Sequence, residues 1–71
     1  MVTLEKGTKF IQSYEGCKNP ITFEVINLDR DKDTLHVKGK TFDKIHEFEE
    51  IWVGLKAIEH LIDLGDYKIL N

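Results

Sequence analysis

Asp29, Asp31 and Asp33 stand at alternate positions in "DRDKD", the spacing with which a calcium-binding loop opens. Such a loop needs glycine at its sixth position and a bidentate glutamate at its twelfth, and those places hold Thr34 and Lys40. The acids are therefore read as the solvated tip of a hairpin. The histidines His36, His46 and His60 form no ligand set either. If His46 and His60 ride on one helix, their 14-residue separation puts them about 21 Å apart, too far for one metal ion. His46 with Glu50 and His60 with Asp63 are at most half-sites, read here as polar-face pairs. No metal and no cofactor is expected.

Nucleophiles are equally scarce. Cys17, the sole cysteine, sits beside Lys18 in a loop, and a cation can lower a thiol pKa. Catalysis would also need an oriented base, and none is identifiable. The sole serine, Ser13, lacks the glycine-flanked elbow of a hydrolase nucleophile. "KGK" at 38–40 is too short for a phosphate loop. With no acid, base and nucleophile to assemble, a non-enzymatic protein is expected.

Polyanion binding is the remaining chemistry. His36, Lys38 and Lys40 alternate along one stretch, so they project from one face of a strand, and Lys9 can join them, with Phe10 or Tyr14 as stacking groups. The charge balance opposes this reading, since 13 acids against 10 bases give a net charge of −3. Residues 43–66 are the acidic part, with Asp43, Glu47, Glu49, Glu50, Glu59, Asp63 and Asp66 against Lys44 and Lys56. Nucleic acid is thus the alternative partner, not the preferred one.

These residues depend on the elements that carry them. "GTKFIQSYEG", bounded by Gly7 and Gly16, suits a strand around Phe10 and Ile11. In "ITFEVINL" the apolar Ile21, Phe23 and Val25 alternate with Thr22 and Glu24, and Ile26 and Leu28 then change parity, which predicts a strand with either a bulge or an end covered on both sides. "TLHVKGK" alternates as well, and the charged "DRDKD" between the two completes a hairpin. From Asp43 the apolar residues step by three and four through Ile45, Phe48, Trp52, Leu55, Ile58 and Ile62. That spacing predicts a helix over roughly residues 44–64, with Asp43 capping its start and Gly65 its end. "DYKIL" reads as a closing strand. The expected fold is one α+β domain over residues 1–71, a small antiparallel sheet of three to four strands with one long C-terminal helix across one face, in the order β-β-β-α-β.

Placed on that helix, Phe48, Ile51, Leu55, Ile58 and Ile62 fall within a sector of about 80°, enough to face a sheet. Val53, Ala57, Leu61 and Leu64 make a second apolar seam on another side, bordered by Gly54. Glycine within a helix costs about 1 kcal/mol relative to alanine, so Gly54 calls for a reason such as close approach of another backbone. A second helix meeting this seam about a twofold axis would give a homodimer. Two other accounts stand beside it: cover by the chain termini or by residues 15–20, and plain exposure.

A chain of 71 residues buries a modest core, and one cysteine excludes an internal disulfide, so another subunit is a natural source of stability. No apolar run reaches the roughly 18 residues of a membrane span, and the first ten positions carry charges of both signs. The expectation is a cytoplasmic protein-interaction module that self-associates through Val53, Gly54, Ala57, Leu61 and Leu64 and acts as an acidic accessory or inhibitor protein toward a partner with a basic surface. Lys9, His36, Lys38 and Lys40 are the residues of the alternative, a nucleic-acid or nucleotide-binding module. No membrane association is expected.

Overall fold

Phe23 and Val25 alternate with Thr22 and Glu24, and Leu35 and Val37 alternate with His36 and Lys38, so each segment has one apolar edge to bury. In a computed structural model, which describes residues 2–70, these segments are the strands β2 (Thr22–Asp29) and β3 (Thr34–Lys40), paired antiparallel as a hairpin. The register of the pair shifts between Val25 and Asn27, which is the bulge that the parity change of Ile26 and Leu28 anticipates. Before the hairpin lies β1 (Lys9–Gln12), and after it come β4 (Glu47–Val53), the helix α1 (Leu55–Leu64) and β5 (Tyr67–Ile69). The sheet order is β4-β3-β2-β1-β5 and every pairing is antiparallel: four strands meander, and the last returns beside the first.

The class is α+β, but the finer expectation needs correcting. There are five strands, in the order β-β-β-β-α-β, and the helix is ten residues long and does not begin at residue 44. "EFEEIWV" satisfies the helical steps of three and four and also the strand period, since Phe48 and Trp52 point to one face and Glu47, Glu49, Ile51 and Val53 to the other. Two features decide for the strand. Phe48 lies directly opposite Gly39 in the register, and its ring fills the space that a β-carbon on Gly39 would take. Gly54 has φ 109°, a left-handed conformation that ends β4 and forms the helix N-cap. Gly54 is therefore not inside a helix, and its presence is explained by backbone conformation. Asp43 does not cap a helix either. Its Oδ1 accepts from Thr41 Oγ1 at 2.6 Å and from Ile45 N at 3.0 Å, closing the turn between β3 and β4.

The core consists of Leu4, Phe10, Phe23, Val25, Leu35, Val37, Leu55 and Ile62. Phe23 ties it together, with ring centroids 4.9 Å from Trp52 on β4 and 6.3 Å from Tyr67 on β5. β4 and β5 are the two edges of the sheet, so a residue of β2 that touches both requires a strongly curled sheet. α1 packs into this curl with Leu55, Ile58 and Ile62.

Other loops fix the helix ends. Asp33, itself left-handed at φ 56°, accepts from the N–H groups of Gly54 and Leu55 through its carbonyl and from Lys56 N through its Oδ1. This satisfies the first-turn donors that Gly54, lacking a side chain, cannot. At the other end Gly65 takes φ 93° and its N–H bonds the Ile62 carbonyl, the C-cap expected of it. A third tie is a bidentate pair: Arg30 donates to both oxygens of Glu59, at 3.1 and 2.9 Å, while Leu4 N donates to Glu59 Oε2 at 2.6 Å and Arg30 Nη2 to the Leu4 carbonyl at 3.0 Å. The N-terminal segment, the hairpin and the helix thus meet at one buried carboxylate.

Glu59→Ala leaves the buried Leu4 N–H without its acceptor and the Arg30 guanidinium without its carboxylate, and lowers the unfolding free energy by about 1–3 kcal/mol in urea titrations. The hydrogen bond from Arg30, more than any other contact, holds the Glu59 carboxyl below its ordinary value, so the unfolded chain binds that proton more readily. Stability from this group is complete above the unfolded value of about 4.3 and is lost as pH falls through the lower native value, and the Glu59→Ala chain lacks that acid-side loss. Gly39→Ala collides with the Phe48 ring and costs about 1–3 kcal/mol in the same assay.

Candidate interaction surface

The residues singled out for chemistry are used structurally. Asp29 Oδ1 accepts from the N–H groups of Asp31 and Lys32, and Asp33 caps α1, so the acids of "DRDKD" build the hairpin tip and the helix start. Ser13 Oγ donates to the Gly65 carbonyl at 2.7 Å, holding β1 to the helix end. Half-buried Cys17 places its Sγ 3.9 Å from Gln12 Oε1. His46 and His60 do not share a helix: His46 lies in the β3–β4 turn, where its carbonyl accepts from Thr41 N, and His60 is on α1. The half-site of His46 with Glu50, drawn one helical turn apart, has no helix to stand on. Among the described residues no three His, Cys, Asp or Glu side chains gather around a possible metal position, and no helix is long and apolar enough to cross a membrane.

The sheet brings the basic residues together on its outer face, away from the core. Lys9, Lys38 and Lys40 border one depression of about 180 Å³, with His36 further along β3. The same sheet puts acids among them. Across the strands Lys9 faces Glu24, Glu24 faces Lys38 and Lys38 faces Glu49, an alternation of sign over four strands. Glu47 lies 3.3 Å from Lys38 Nζ and 3.5 Å from Lys40 Nζ, and Glu49 lies 3.4 Å from His36 Nε2. Lys38, by hydrogen bond and by charge, holds the Glu47 carboxyl below its ordinary value. The lysines are thus offset by the strand that sequence periodicity assigned to the helix. These exposed pairs contribute little stability, but the acids oppose the field of the lysines.

The apolar seam has moved. Ala57, Leu61 and Leu64 lie within about 60° of one another on α1, but Val53 is the last residue of β4 and Gly54 the junction. The five still form a path, from the end of β4 across Gly54, whose added β-carbon would lie 3.6 Å from Ala57 Cβ, and down the helix. Val53 is 83% exposed and Leu64 63%, Ala57 is exposed and Leu61 half-buried. The N-terminal segment runs along a different flank of α1, where Val2 N donates to Asp63 at 3.0 Å and Leu4 N to Glu59.

Ile51, assigned from its spacing to the helical stripe that faces the sheet, lies instead on the outward face of a strand. It is 71% exposed, and Ile45 just before the strand is 73% exposed. The signal was present: the alternation in "EIWV" places Ile51 and Val53 together on the face opposite Trp52.

If Glu47 and Glu49 neutralise the outer face, removing them unmasks it. Glu47→Gln combined with Glu49→Gln should raise the salt concentration needed to elute the chain from a heparin column, while the parent chain elutes at low salt.

Comparison with known proteins gives no matching family model, no matching curated protein and no matching solved structure. The functional reading stands on the surface itself.

Proposed function

We propose that this chain is a non-enzymatic, cytoplasmic protein-interaction module that self-associates through Val53, Gly54, Ala57, Leu61 and Leu64, and that the self-associated form is an acidic accessory or inhibitor protein toward a partner with a basic surface. The observation that carries the reading is the apolar path from the end of β4 down α1, along which Val53, Ala57 and Leu64 are exposed among the described residues. Its area adds to a core of eight buried apolar residues, few for a stable domain, and burial against a second copy supplies what a small chain lacks. The two-sided character of α1 supports the same view. Leu55, Ile58 and Ile62 face the sheet while Ala57, Leu61 and Leu64 face away from it.

The charge distribution supports the second half of the proposal. Glu49 and Glu50 stand beside Ile51 in β4, and the whole chain is acidic, which favours encounter with basic partners.

Sedimentation equilibrium tests self-association. The expected species has twice the chain mass of 8.3 kDa, with a dissociation constant that changes little between low and high salt because the contact is apolar. Ala57→Glu places an unpartnered carboxylate in the contact and weakens association by more than about tenfold. A chain that stays monomeric at millimolar concentration contradicts the proposal.

A further inference from the structure

β4 has one sheet neighbour, β3, and its other edge is bare along seven residues. Its backbone polarity can be assigned. The N–H of Gly54 and the carbonyl of His46, the groups flanking the strand, both bond toward β3. Alternation along a strand then turns the N–H and C=O groups of Glu47, Glu49, Ile51 and Val53 to the open edge.

Natural edges are commonly protected by lysine, proline or a bulge. β4 contains no lysine or proline, and its register with β3 is unbroken. Acids would also deter pairing, but Glu47 is already ion-paired to Lys38 and Lys40, and Glu49 lies beside His36 and directly across from Lys38, which leaves Glu50 as the acid of the strand with no basic residue opposite it on β3 among the described residues.

We propose that β4 pairs antiparallel with β4 of a second copy about a twofold axis through Ile51, joining two curled sheets edge to edge. This rests on the self-association reading and names its main contact. Like-charge repulsion and the length of paired strand together select the register, since axes through Trp52 or Val53 also avoid opposed acids but pair fewer residues of β4. A twofold that keeps the two sheets continuous must pass through a residue, so that outward side chains meet outward ones. Through Glu49 it sets Glu49 against itself, and through Glu50 it sets Glu50 against itself, each a directly opposed pair of like charges. Through Ile51 it sets Ile51 against Ile51, Glu50 against Trp52 and Glu49 against Val53, with no acid opposite an acid. The outward groups of Glu49, Ile51 and Val53 then exchange about six main-chain hydrogen bonds. Val53, first residue of the apolar path, lies at this contact, so edge and path form one surface.

The test uses the full chain. Proline at position 51 removes an N–H that faces the open edge, not one that bonds β3, so Ile51→Pro keeps the fold, checked by far-ultraviolet circular dichroism and melting, yet weakens self-association at least 100-fold in sedimentation equilibrium. In a Cys17→Ser background, Ile51→Cys oxidises to a disulfide-linked dimer, while Glu49→Cys does not, because position 49 meets position 53 in this register. A folded Ile51→Pro chain that associates like the parent overturns the inference, as does cross-linking at position 49 in preference to 51. If in that case Ala57→Glu still dissociates the dimer, the self-association reading survives with the α1 path alone as its contact. A parent chain that is monomeric throughout overturns both.

Discussion

The pairing of Glu47–Val53 with Thr34–Lys40 is the constraint on which the rest of the molecule depends. It lays the Phe48 ring over Gly39, sends Trp52 into contact with Phe10 and Phe23, and brings Glu47 and Glu49 against the lysines and histidine of β3. One strand therefore closes the aromatic core on its inner side and neutralises the sheet on its outer side. The same pairing exhausts only half of the strand's backbone groups, because a strand added last to a meander has one neighbour. The bare edge and the exposed Ile51 and Val53 are consequences of this closure.

Helix α1 is short for a self-supporting helix, and loops from elsewhere in the chain stabilise it. Asp33 supplies its N-terminal acceptors from the β2–β3 turn, Ser13 bonds the Gly65 carbonyl just past its C-terminus, and Glu59 joins it to Arg30 and Leu4. These ties divide the helix surface into three. One side meets the sheet, a second carries Glu59 and Asp63 against the N-terminal segment, and the third carries exposed Ala57 and Leu64 with half-buried Leu61 between them. The Arg30–Glu59 pair is partly open to solvent and adds little net stability, yet with Leu4 it fixes the rotation of the helix and so decides which side is left outward.

Local pattern was enough for some of this. The β2–β3 hairpin, its bulge, the Gly65 cap and the closing strand all follow from alternation and turn chemistry within a few residues. Residues 44–53 were not legible in the same way, because Ile45, Phe48 and Trp52 fit a helical stripe while Phe48, Trp52 and the alternating Glu47 and Glu49 fit a strand. What separates the two is non-local: the vacancy above Gly39 that only Phe48 fills, and the cations of β3 that wait for Glu47 and Glu49. Gly54 offered a local hint, since a glycine that is costly inside a helix is at no disadvantage at a left-handed junction. For the candidate surface, the spacing of Ala57, Leu61 and Leu64 sufficed to define an outward stripe. Which strand would be an edge was hidden, because sheet order depends on the whole chain, and with it was hidden the contribution of Ile51.

A dilution series of amide nitrogen–proton spectra tests the central claim most directly, because it reads each backbone position while the oligomeric state changes. If self-association uses this surface, the signals of Glu49, Ile51, Val53, Ala57, Leu61 and Leu64 move together with concentration, while those of Lys9, Glu24 and Lys38 on the far part of the sheet hold still. Spectra that do not change over a hundredfold dilution, or that move only at Lys9, Glu24 and Lys38, would contradict it.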